Sequence, residues 1–278
     1  MIDKGHYLYG NVIERKGKMY STLFTSESVS QGHPDKICDQ ISDSILDYCL
    51  EVNKDSRVAI ETMIKDNLCI VAGEVKIPAY IGDLEEEFKR IALDVLKNRV
   101  YMENIHIDKR DFKVQTIISK QSDDIAMGVD GVASEKCANK RIGAGDQGMM
   151  FGFACTETSE LMPLPLVLAH KLVRKLDEQR RGQVILGIGH DAKSQVTVRY
   201  DHGKPVAIDA IVISVQHHST KDLEELKEEI EKYVIGQVFK GMSVVPDRDT
   251  KILVNPTGRF VTGGPFGDSG LTGRKIIV

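Results

Sequence analysis

The stretch "HPDKICDQISDSILDYCLE", residues 33–51, decides the fold class. Pro34 suits the first turn of a helix, where its missing N–H costs nothing. Ile37, Ile41, Ile45 and Cys49 then recur every four residues, which is one apolar stripe of an amphipathic helix. A β-rich pair follows, "RVAIETMI" (57–64) and "LCIVAGEV" (68–75), around Asp66-Asn67, a hairpin signal. "YIGDLEEEFKRIALDVLKN" (80–98) is a second amphipathic helix, with Leu84, Phe88, Ile91 and Val95 on one face. "DFKVQTIIS" (111–119) reads as a strand.

Working outward, the order repeats. "LPLVLAHKLVRKLDEQRR" (164–181) reads as a helix. "SQVTVRY" (194–200) and "PVAIDAIVISV" (205–215) flank the hairpin signal Asp201-His202-Gly203-Lys204. "KDLEELKEEIEKYVIGQVF" (221–239) is a helix, and "TKILVNP" (250–256) the matching strand. A helix-hairpin-helix-strand unit thus spans about 34–119 and again about 163–255. Two readings stay open: a duplicated α+β unit with helices on one sheet face, or two α/β domains alike by chance. The segments divide as an extension (1–19), a first unit (20–130), a loop and Gly-rich segment (131–156), a second unit (157–262) and a Gly-rich loop (263–278).

Composition narrows the function. The 278 residues are 41% hydrophobic and 28% charged, with a net charge of -4. That is ordinary globular material and argues against general binding to nucleic acid. Five cysteines show no CxxC pair, which fits reduced thiols in a cytoplasmic protein. No apolar run approaches the roughly 18 residues of a membrane span, and the first residues lack the apolar core of a signal peptide.

Three polar, Gly-rich stretches lie outside the repeats: "TSESVSQGHPDK" (25–36), residues 119–152, and the closing segment 258–278. Such loops on a regular scaffold are where chemistry usually sits. "GHPDK" places His33, Asp35 and Lys36 at a helix N-terminus, where free N–H groups and the dipole attract anions; plain capping is the other reading. "GAGDQG" (143–148) lacks the strand and helix that a dinucleotide fingerprint needs, so Asp146 also reads as a turn residue. Glu61 and Glu74 interrupt apolar strands, either on a wet face or at a site. "HDAKSQV" offers Asp191 and Lys193 just before a strand. The closing loop brings Arg259, Phe260, Asp268, Arg274 and Lys275; a cation beside a flat apolar ring suits a nucleotide base. A plain loop has no use for so many glycines.

Four segments together resemble the S-adenosylmethionine synthetases, in that family's order: "FTSESVSQGHPDKICDQISDSILD", "GAGDQGMMFG", "DAKSQVTV" and "NPTGRFVTGGPFGDSGLTGRKIIV". The resemblance implies three similar α+β units about a pseudo-threefold axis, two largely present here and the third mostly missing. It implies synthesis of S-adenosylmethionine from ATP and L-methionine, with the triphosphate then cleaved to pyrophosphate and phosphate, and a need for Mg2+ and K+. His33, Lys193, Arg274 and Lys275 carry over to the triphosphate, and Asp191, Ala192, Arg259 and Phe260 to the nucleoside. Glu74, Gln121 and Asp146 carry over to methionine, and Asp268 to both substrates. Asp35 carries over as the Mg2+ ligand and Glu61 as the K+ ligand, while "QSDDIAMGVDG" (121–131) matches a mobile loop over the site. The chain has His190 where the family usually has Pro. Family chains also continue past "GRKIIV". The implied partners are therefore a second copy (a dimer or higher homo-oligomer) or a separate chain supplying the rest. The alternative function is a non-catalytic nucleotide-binding or interaction module.

Overall fold

The computed structural model describes residues 21–77, 82–97, 112–120 and 151–274. The chain is a mixed α+β protein built on two four-stranded sheets. Strand β1 is Thr22–Val29 and helix α1 is Pro34–Val52. The hairpin β2 (Arg57–Lys65) and β3 (Leu68–Lys76) follows, then α2 (Leu84–Leu96) and β4 (Lys113–Lys120). The second half runs α3 (Leu164–Arg181), β5 (Ile188–Asp201), β6 (Lys204–His217), α4 (Leu223–Ile230) and β7 (Lys251–Val254). A two-residue strand β8, Gly270–Leu271, ends the series.

The two halves share one topology. In each, a hairpin pairs antiparallel (β2 with β3, β5 with β6), and the strand after the next helix adds parallel to the second hairpin strand (β4 on β3, β7 on β6). Left-handed turn residues make the hairpins, Asp66 in the first and His202-Gly203 in the second, as short hairpin loops require.

The edge strands cross between the halves. β1 pairs antiparallel with β5 along its whole length, in the sheet of the second half, and β8 pairs with β2 in the sheet of the first. The first of these corrects the reading of residues 25–29 as part of a polar loop. "TLFTSESV" is rich in Ser and Thr, which resembles a loop. Its inner positions 24, 26 and 28 are nonetheless half-buried against β5 and α3, while Leu23, Thr25 and Glu27 point outward.

Each sheet has its own core on one face. Ile37, Ile41, Ile45 and Cys49 of α1 are fully buried with Ile60, Ile64, Cys69, Val71, Phe88 and Leu96. Burying one such side chain stabilises by about 1.5–3 kcal/mol. Leu168 and Leu172 of α3 pack with Val196, Val198, Ile211, Ile213 and Val215 in the second core. Asp83 caps α2 by accepting the Glu85 and Glu86 N–H groups at 3.1 and 3.2 Å. The helix expected over 221–239 is not uniform: residues Glu231–Ile235 form a π-helical turn. The wider turn keeps Ile230, Val234 and Ile235 all buried.

Candidate functional site

The N-terminus of α1 is the point where both sheets and the closing loop meet. His33 is its N-cap, its Nδ1 accepting from the Asp35 N–H at 3.2 Å. The turn before it is fixed to β5 by three hydrogen bonds. Ser30 N–H donates to the Ala192 carbonyl at 2.8 Å, the Ser30 hydroxyl donates to the His190 carbonyl at 2.5 Å, and the Ala192 N–H donates back to the Ser30 hydroxyl at 2.8 Å. "HDAK" therefore lies inside β5 rather than before it. His190 and Asp191 look like loop residues, yet both are buried: the turn at Gly32 packs against His190, and Gly263 and Gly264 of the closing loop cover Asp191.

Asp191 is 6% exposed and accepts the Gly264 N–H on Oδ2 at 2.6 Å. Burial pushes its carboxyl pKa above the ordinary value. The Gly264 hydrogen bond and the charge of His33 pull it back, and Asp268 pushes it up again. His33, Asp191 and Asp268 are thus electrostatic neighbours.

The closing loop is tied down along its length. Pro265 O accepts the Asp66 N–H at 2.8 Å, and the Phe266 ring lies tilted beside Phe112 with ring centroids 6.1 Å apart. The Leu271 N–H donates to Asp35 Oδ1 at 3.0 Å and the Gly273 N–H to Asp39 Oδ1 at 3.1 Å. Thr272 bonds Ser42 of α1 at 2.8 Å and takes the Thr62 N–H of β2 at 2.8 Å. The expectation that a plain loop has no use for the glycines needs correction. A Cβ on Gly270 would stand 2.3 Å from the Pro34 carbonyl oxygen. Close backbone packing against α1 accounts for that glycine without any ligand.

The expected cations stand at the rim. Lys193, half-exposed on the outer face of β5, pairs with Glu27 of β1 at 2.9 Å. Arg274 Nε lies 3.9 Å from Glu61 Oε1, and its guanidinium donates to the Val58 carbonyl at 3.3 Å. Register places Glu61 opposite Ala72 and Glu74 opposite Ala59, so both acids occupy the sheet face away from the helices. Arg259 is exposed; Phe260 is half-buried and held by His217, whose Nε2 accepts the Phe260 N–H at 2.9 Å. Gln121, Asp146 and Lys275 lie outside the described residues, as do the loop 121–131 and the apolar end 276–278.

Several residues of this region had no signal read in the sequence. Asn255 is buried with φ of 43°. Its side-chain amide takes the Val215 N–H at 2.8 Å and donates to the Val215 carbonyl at 3.0 Å, replacing one step of a strand ladder. Gln216 donates to the Val261 carbonyl at 3.0 Å. The available signal was polar Gln216-His217 ending an apolar strand, and Asn before Pro256.

Among the described residues, no group of three or more His, Cys, Asp or Glu stands together as a metal site, and no helix is long and apolar enough to cross a membrane. One carboxylate such as Asp35 fits Mg2+ when phosphate oxygens and water complete the shell. For K+ the described donor is Glu61 alone, and a guanidinium already faces it.

The fold and this region define a class: an α+β protein of two topologically alike halves, with a helix N-terminus and a Gly-rich loop tethered where the two sheets meet. Family models for the N-terminal and central domains of S-adenosylmethionine synthetase match residues 21–123 and 141–260. The chain belongs to the S-adenosylmethionine synthetase family.

Proposed function

We propose that this chain makes S-adenosylmethionine from ATP and L-methionine. The observation that supports it best is the tethering of His33, Asp35, Asp191 and the loop 264–274 around one helix N-terminus. In this reading His33, Lys193, Arg274 and Lys275 face the triphosphate. Asp191, Ala192, Arg259 and Phe260 frame the nucleoside, Asp268 lies near both substrates, and Glu74, Gln121 and Asp146 hold methionine.

The methionine sulfur attacks C5′ of ATP, the C5′–O bond breaks, and its electron pair leaves with the triphosphate. Negative charge gathers on the leaving oxygens, so fixed cations lower the barrier most there. The sulfur is a neutral nucleophile and becomes a sulfonium, so no general base is needed. Bound Mg2+, held by Asp35, would neutralise phosphate charge. Glu61 would accept K+ once Arg274 has turned from it to the phosphates. The triphosphate is then hydrolysed to pyrophosphate and phosphate.

The reading includes a homo-oligomer. Met63, Leu68, Ile117 and Leu271 are 40–58% exposed on the helix-free face of the first sheet, beside Glu61 and Glu74. Contiguous apolar exposure of this kind marks an interaction surface. The described cysteines are free thiols, which supports a cytoplasmic setting.

One observation favours a second reading, a nucleotide-binding module without turnover: Lys193 and Arg274 already face Glu27 and Glu61. Incubation with ATP, methyl-labelled methionine, Mg2+ and K+ separates the two. Labelled S-adenosylmethionine supports the synthetase; ATP binding without product supports the module.

A further inference from the structure

The last three residues of β6 hold the segment that follows β7 by side chains as well as backbone. Val215 takes the Asn255 amide, Gln216 takes Val261, and His217 takes Phe260 from two sides. His217 is 2% exposed. Its own N–H donates to the Phe260 carbonyl at 2.9 Å, and the Phe260 N–H donates to its Nε2 at 2.9 Å. Nε2 therefore carries no proton. The proton sits on Nδ1, which donates to the His218 carbonyl at 3.0 Å. Both polar groups of the Phe260 backbone are thus consumed by one residue, which fixes a half-buried Phe260 beside an exposed Arg259.

Gln216 is seated with similar closeness. A Cβ on Gly189 would stand 2.5 Å from its Oε1, and a Cβ on Gly263 would stand 2.8 Å from its Cδ. The two glycines leave the slot that the Gln216 amide fills. From that slot it fixes the Val261 carbonyl, one residue past Phe260.

We propose that Gln216 and His217 are positioning residues that set the Arg259–Phe260 peptide for the nucleoside half of the nucleotide. The proposal rests on the reading of Arg259 and Phe260 as nucleoside-framing. Neither Gln216 nor His217 touches substrate. They act through two backbone carbonyls and one N–H, and so govern recognition of the base and ribose while leaving the phosphate contacts at His33, Lys193 and Arg274 unchanged.

The test compares two probes on the full chain by calorimetry: a β,γ-imido ATP analogue with Mg2+, and inorganic tripolyphosphate with Mg2+. His217→Phe removes the Nε2 acceptor and the Nδ1 donor. It should weaken the ATP analogue about tenfold, the scale of a lost hydrogen bond, and leave tripolyphosphate within about twofold. His217→Gln keeps an acceptor toward the Phe260 N–H and should recover most of the loss. Gln216→Leu should weaken the analogue selectively as well. Should His217→Phe fail to fold, His217→Gln and Gln216→Leu decide the matter. Equal weakening of both probes, or no weakening of the analogue, overturns the positioning role. A wild-type chain that binds neither probe overturns the proposed function itself, and the positioning role with it.

Discussion

Asp191 and Gly264 join the two sheets: the carboxylate on β5 accepts the Gly264 N–H at 2.6 Å, and the next residue, Pro265, accepts the Asp66 N–H from the hairpin of the other sheet at 2.8 Å. One acid and one short turn thereby couple the halves at the base of the candidate site.

A pH-dependent stability follows from that placement. Burial raises the Asp191 carboxyl above its ordinary 3.8, so the folded chain holds this proton more tightly than the unfolded chain. Its contribution to stability is complete below 3.8 and is lost as pH climbs through the raised folded value. Asp191→Asn keeps an oxygen for the Gly264 N–H and cannot ionise. The stability difference between the Asn variant and wild type should therefore move in the variant's favour as pH rises through that window. Urea unfolding at a series of pH values measures it. A difference flat across the window, or moving toward wild type, contradicts the account.

Gly270 is set by contact alone. Its absent Cβ would stand 2.3 Å from the Pro34 carbonyl oxygen, a backbone atom at the start of α1 that has little freedom to shift. Gly270→Ala should cost about 1–3 kcal/mol, the usual scale of overpacking. Gly152→Ala, with nothing within 4 Å of the new methyl, should stay within about 0.5 kcal/mol of wild type. Denaturant midpoints compare the two.

Asn255 carries a peptide's worth of hydrogen bonds in its side chain. Asn255→Asp keeps an acceptor for the Val215 N–H but turns a carboxylate oxygen toward the Val215 carbonyl, where the amide donated at 3.0 Å. A lost donor in a buried site costs about 1–3 kcal/mol, more when charge is introduced. Thermal unfolding should show the loss at neutral pH and a smaller one in acid, where the new carboxyl is protonated and can donate. An equal loss at both would show that the Val215 contact is not the cause.

What the sequence made legible follows from side-chain pattern. The stripe Ile37, Ile41, Ile45, Cys49 marks α1 because a helix repeats its buried face every turn; all four are fully buried. Asp66 and His202-Gly203 mark hairpins because few residue types adopt left-handed backbone. β1 was hidden because its inner positions include Ser26 and Ser28, which a loop also favours. His190 and Asp191 hid the start of β5 because polar residues enter a strand interior only where something covers them. The turn at Gly32 covers His190, and Gly263–Gly264, more than seventy residues later, covers Asp191, relations no local pattern carries. His33, Asp35, Asp191 and the closing loop could be named one by one. Their tethering pairs a side chain with a backbone group each time, the Ser30 hydroxyl with His190 and Ala192, Asp191 with Gly264 and Asp35 with Leu271, and the backbone partner has no letter in the sequence.

The rim charges give a kinetic prediction. If Lys193 and Arg274 stabilise the departing triphosphate, Lys193→Ala or Arg274→Ala should slow the chemical step by about two orders of magnitude, roughly 3 kcal/mol of barrier. Methionine affinity should change little. Single-turnover formation of S-adenosylmethionine reads the step directly. Glu27→Gln removes the partner that holds Lys193 at 2.9 Å and should leave the chemical step near wild type, since the lysine then meets the phosphates without a competing carboxylate. A Lys193 variant with normal turnover and only a raised methionine requirement contradicts the role.

The helix-free face of the first sheet gives the last prediction. Register aligns Met63 with Leu271 on one side and Ile70 on the other, and Ala72 with Ile117, so these side chains share one face. Ile117 and Leu271 are 56% and 58% exposed. Glu61, Glu74 and the Arg274 contact lie on or beside the same face, so a second chain seated there would cover candidate substrate residues as well as apolar surface. In this reading the chain is at least a dimer at micromolar concentration. Ile117→Lys would place a charge in the interface, at a position already open to solvent in the single chain, where it costs little folding stability. Light scattering should give at least twice the chain mass for wild type and a monomer for the variant, while the unfolding midpoint extrapolated to high dilution stays the same for both. S-adenosylmethionine formation should fall together with the dimer fraction as the variant or dilution reduces it. A wild-type monomer at these concentrations, or a variant that stays dimeric, removes this face as the site of self-association.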